Sequence, residues 1–111
     1  MADSAPTGDE PSWSVEFGLE LQGDRDLAEG PERAFTARIA EDAAVRRVTE
    51  TEKPAAGSIR VTAVVTARTR AEAEARSEEI LQAARSAAGT EIPDWPTTSW
   101  WSSSGVGDRL A

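Results

Sequence analysis

Any enzyme chemistry in this chain of 111 residues would rest on carboxylates, hydroxyls, arginines and a single lysine, Lys53. Cysteine, histidine and tyrosine are all absent. Their absence removes disulfides, thiolate nucleophiles, the usual zinc ligands and imidazole as a proton shuttle. The carboxylates do not gather by spacing. Glu16 and Glu20 stand two same-face positions apart on an alternating segment, about 13 Å between backbones at strand rise, too far for a paired acid and base. Glu50 and Glu52 lie closer, as do the adjacent Glu41 and Asp42, but no complementary partner accompanies either pair. A divalent cation would need a loop rich in oxygen ligands. Asp24 and Asp26 come nearest to one, and turn formation accounts for them. The expectation is a chain that is not an enzyme and takes no cofactor or metal.

The residues with most to offer a partner are tryptophans. Trp95, Trp100 and Trp101 fall within seven positions, among Pro, Ser and Thr. Tryptophan is costly to expose and enriched at binding hot spots. Two roles fit: a lid supplying bulk to a thin core, or an exposed partner-binding segment. If positions 97–102 form a strand, Trp100 and Trp101 point to opposite faces, so one fills the core and the other faces out.

These residues need elements to hold them. Trp13, Val15, Phe17, Leu19 and Leu21 alternate with Ser14, Glu16, Gly18, Glu20 and Gln22, which predicts a strand with one buried and one wet face. Gly23 and Asp24 end it. Pro31 and Glu32 suit a helix start, with Leu27, Ala34, Phe35 and Ile39 on or near its buried face and fraying near Asp42. Val45 to Glu52 reads as a polar edge strand, because charge at an edge discourages unwanted pairing. Lys53 to Gly57 is a turn, and Ile59, Val61, Ala63, Val65 and Ala67 alternate into a second long strand.

Thr69 and Glu72 have the spacing of a capping box. The helix they open runs to Ala88 with Gly89 placed to stop it, burying Ala73, Ser77, Ile80, Leu81, Ala84 and Ala88. Pro93 and Pro96 exclude a regular central strand near the end. The organisation is therefore a leader over residues 1–11, one α+β domain over 12–102, and a loose tail over 103–111.

Strand, helix, strand, strand, helix and a candidate fourth strand is the order of the ferredoxin-like, split βαβ arrangement, with two helices on one face of an antiparallel sheet. There the first and third strands are central, and here those two carry the regular pattern. A three-stranded βαββα version fits nearly as well. Alanine supplies much of the apolar content, so the helices must sit close to the sheet.

On the face away from the helices would lie Ser14, Glu16 and Glu20 with Arg60, Thr62, Val64, Thr66 and Arg68. No aromatic stands among them. Base-stacking RNA recognition is therefore disfavoured, as is any phosphate-rich or anionic-membrane partner for a chain of net charge −8. This face is either solvated, with Glu–Arg cross-strand pairs, or a flat surface for self-association or a partner. No apolar run reaches the ~20 residues of a membrane span, and residues 1–10 lack a signal-peptide pattern, so a cytoplasmic, bacterial protein is expected. The leading functional expectation is a protein-interaction module, self-associating or of an acidic inhibitor or immunity type. The partner-binding candidates are Trp95, Trp100, Trp101, Arg60, Thr62, Val64, Thr66 and Arg68. The alternative is a regulatory domain that binds a small ligand near the Gly23–Pro31 loop.

Overall fold

The computed structural model describes residues 10–22, 29–92 and 100–110. Residues 1–9 of the expected 1–11 leader, Trp95 and residues 23–28 of the Gly23–Pro31 loop, with Asp24, Asp26 and Leu27, lie outside the described residues. Glu10 and Pro11 are not loose leader but are held by Arg76 and by the Ala67 amide.

The alternation of large apolar and small or charged residues yields β1 (Ser12–Leu21), whose burial alternates in step with the sequence. A first helix, α1 (Glu29–Glu41), is followed by β2 (Val45–Glu52), β3 (Ser58–Thr66), α2 (Arg70–Gly89) and β4 (Trp100–Leu110). The sheet order is β2-β3-β1-β4, with every neighbouring pair antiparallel. This is the ferredoxin-like α+β fold, and the two well-patterned strands occupy its centre. β3 packs along β1 without interruption from Ser12 opposite Thr66 to Glu20 opposite Ser58.

One face of the sheet buries Trp13, Val15, Phe17, Leu19, Ile59, Val61, Ala63 and Val65 against the helices. From the helices come Phe35 and Ile39 of α1 and Ala73, Ile80, Leu81, Ala84 and Ala88 of α2. The buried stripe of α2 matches the 3.6-residue period of its sequence. Its alanines bring the helix backbone close to the sheet, and Phe17 and Phe35 are the largest of the fully buried side chains.

Local chemistry sets the ends of the elements. The Thr69 side chain accepts from the Glu72 amide at 3.1 Å. The Glu72 carboxylate reaches past the cap to the Arg68 amide at 2.7 Å, a one-residue variation on the expected box. Gly89 does not stop the helix. It is a buried helical residue, and the chain leaves at Thr90 with φ −67° and its hydroxyl donating to the Ala87 carbonyl at 2.8 Å. α1 ends where the Asp42 side chain takes the Ala44 amide at 2.9 Å.

The last strand departs most from expectation. Sequence patterning ends it at Ser102 and leaves a loose tail, yet β4 continues through Ser103 and both glycines to Leu110. The reason is tertiary. Pairing with β1 runs from Leu21 opposite Trp100 to Ser12 opposite Leu110, so the backbone ladder, not side-chain hydrophobicity, holds these Ser and Gly residues extended. One irregularity breaks the register, where β4 has an extra residue opposite Ser14. There the Arg70 guanidinium donates to the carbonyls of Val106 at 3.0 Å and Gly107 at 2.8 Å. Among the described residues no helix is long and apolar enough to cross a membrane.

Candidate functional site

The sequence-derived candidates separate into three groups once the sheet is assembled. Strand alternation puts Trp100 and Trp101 on opposite faces, and the structure assigns them very different surroundings. Trp100 lies half-buried against the core, with the Arg85 guanidinium 4.6 Å from its ring centroid. Trp101 is 65% exposed on the open face, where it stands in register with Glu20.

On that face Trp101 and Arg60 are brought together. They line one shallow groove of about 250 Å³ together with Gly18, Glu20, Pro54 and Ser103. Gly18 forms the floor, between Arg60 on one side and Ser103 on the other. A Cβ there would come 3.2 Å from the Ser103 hydroxyl oxygen, so glycine keeps the strands flush and the groove open. Arg60 donates to Glu52 of β2 at 3.0 Å. The cross-strand partner of Arg60 is thus on the edge strand, and Glu16 and Glu20 of β1 remain exposed on the same face. Thr62 sits in the next row, between Glu16 and Glu50.

Val64 and Thr66 do not belong to an accessible surface. They are 3% and 1% exposed. The Thr66 hydroxyl donates to the Ala44 carbonyl at 3.3 Å, and the Thr66 amide donates to the same oxygen. The Ala67 amide donates to the Pro11 carbonyl, so the segments flanking α1 and β1 close this end of the sheet. Val64 lies between Ser14 and Arg47 in register. Arg68 lies beyond the end of β3, at the end of the sheet away from Trp101, 3.7 Å from the Glu10 carboxylate.

The carboxylates form no acid–base pair at this groove, which has Glu20 alone among its lining residues. Among the described residues no group of three or more acidic side chains is arranged to hold a metal ion. The most connected charged cluster is elsewhere. Arg76 bridges Glu10 at 3.3 Å, Glu72 at 3.7 Å and the Thr66 carbonyl, which ties the chain before β1 to α2. Its partners make it structural.

Sequence reasoning did not single out Gly18 and Ser103, which line the groove, or Gly105, farther along β4. A signal for Gly18 was present, because a glycine inside an otherwise alternating strand marks a close backbone approach. Ser103 and Gly105 carried none until β4 was placed beside β1. No protein-family model, curated protein or solved structure matches this chain.

Proposed function

We propose that this chain is a non-enzymatic protein-interaction module that binds its partner through the Trp101 end of the open sheet face and the adjoining β4 edge. The carrying observation is Trp101, a large indole held in water on a regular strand beside a glycine-floored groove. An exposed tryptophan next to an arginine and a flat backbone has the composition of an interaction hot spot. The groove carries both signs of charge, in Glu20 and Arg60. It therefore favours a partner of mixed surface over the basic target that the net charge of −8 alone suggests. Its openness also argues against a small ligand, since such ligands are bound in concavities that enclose most of their surface.

The test is to identify what the purified protein captures, then to re-form the binary complex from purified components with wild type and Trp101→Ala. The variant should unfold at the same denaturant midpoint and bind roughly tenfold or more weaker, as loss of a hot-spot side chain does. Equal binding by Trp101→Ala would remove the reading.

A further inference from the structure

We infer that the partner is a second copy of this chain, joined edge to edge through antiparallel β4–β4 pairing about a two-fold axis at Ser103. The inference rests on the interaction-module reading and adds the occupant and the register.

β4 is the last strand in the sheet order, with β1 on one side and no strand among the described residues on the other. Such an edge presents a row of backbone donors and acceptors to a further strand. Charge then narrows the choice of occupant. From Trp100 to Gly107 the strand has no charged residue, in a chain of net charge −8. Two copies repel each other over most of their surfaces and meet without repulsion along this run.

The register follows from side-chain bulk. Directly opposed residues of an antiparallel ladder share a face, so a two-fold axis perpendicular to the sheet must pass through a residue. An axis at Ser103 sets Trp101 against Gly105 of the other copy on the open face. Nothing lies within 4 Å of a Cβ built on Gly105, so the indole finds room, and an aromatic over a cross-strand glycine covers its bare backbone. On the helix face the same axis opposes Trp100 with Val106, the two β4 side chains that already pack partly on the core. Ser102 then faces Ser104. An axis at Ser104 instead sets Trp100 against the charged Asp108, which lies past the register shift between Val106 and Arg109. An axis at Ser102 sets Trp101 against the side chain of Ser103. Only the Ser103 axis makes the strand complementary to itself on both faces.

The absence of native cysteine makes the register directly readable. Ser102→Cys, Ser103→Cys and Ser104→Cys are nearly isosteric single-cysteine variants. Opposed Cα atoms in an antiparallel pair lie about 4.5–5.5 Å apart, within disulfide range. Under mild oxidation Ser103→Cys should form a covalent dimer at least roughly tenfold faster than either neighbour, by the steep distance requirement of the bond. Wild type should sediment as a reversible dimer, which Trp101→Ala weakens. Ser103→Lys and Ser103→Glu should each be monomeric and recover the dimer when mixed. Fastest cross-linking at 102 or 104 would overturn the register. A wild type that stays monomeric into the millimolar range overturns the second copy as occupant. Trp101-dependent capture of a different protein by that monomer would leave the interaction-module reading intact. A dimer that cross-links at 103 but is indifferent to Trp101→Ala would keep the pairing and overturn the role of Trp101.

Discussion

Four of the eight positions in the edge strand β2 are charged, Arg46, Arg47, Glu50 and Glu52, whereas the edge strand β4 has no charge from Trp100 to Gly107. β2 also pairs with β3 through two irregularities, between Val45 and Arg47 and between Val48 and Glu50. β4 has a single one, near its far end. Charges and bulges both spoil the regular row of donors and acceptors that another strand needs. One edge of this sheet is thus guarded by the means proteins ordinarily use, and the other is left plain over a long stretch. The difference teaches where to look for a partner in a molecule whose described residues gather no group of acidic side chains able to hold a metal ion. The guard on β2 shows that this chain can protect an edge, so its absence on β4 carries information.

The comparison can be broken most severely at β2. Arg47→Val combined with Glu50→Val removes one positive and one negative charge, leaving the net at −8, and halves the charges on that edge to Arg46 and Glu52. The double variant should form sheet-rich aggregates on concentration, read by light scattering, while wild type stays clear. A clear solution would mean that Arg47 and Glu50 are not what guards this edge.

A smaller effect separates the two tryptophans of β4. Trp100→Ala should cost about 2 kcal/mol of stability in chemical denaturation, as a half-buried indole loses core contacts and the Arg85 stacking. The matching change at Trp101 should leave stability nearly untouched. Equal costs at the two positions would mean that both rings pack on the folded domain, which would undo the division of labour between the faces.

The smallest effect concerns the one place where β4 is capped. Arg70 holds two of its carbonyls and lies 5.6 Å from the Trp13 ring centroid. Arg70→Met should lower stability by about 1 kcal/mol, the range of solvent-exposed hydrogen bonds plus a cation–π contact. Faster amide hydrogen exchange should appear from Val106 to Leu110 and not at Trp100 to Ser104. Uniform change along the strand would show that the bulge does not partition it.

Much of the molecule follows from local pattern. Period two at Trp13–Leu21 and Ile59–Ala67, period 3.6 along α2, and Thr69 with Glu72 at its start each state a structure that any good packing must respect. The polar, charged character of Val45–Glu52 correctly marks an edge. The opposite orientation of Trp100 and Trp101 is equally local, since it needs only that the segment be a strand.

The candidate site was legible only in part. Arg60 and Trp101 are 41 positions apart, and only the β3-β1-β4 order brings them to one groove. Val64 and Thr66 alternate like surface residues, yet both are buried, and only the assembled sheet shows it, with Thr66 bonded through its amide and hydroxyl to the Ala44 carbonyl.

The sequence by itself determined the central strands, the helical stripes and the charged edge, because side-chain hydrophobicity and capping act over a few residues and repeat with the period of the backbone. Tertiary structure decided the length of β4, its bulge and the groove beside Trp101. Serine and glycine carry no apolar period to announce a strand, and their extended form from Ser102 to Gly107 is imposed by the hydrogen-bonding ladder of β1.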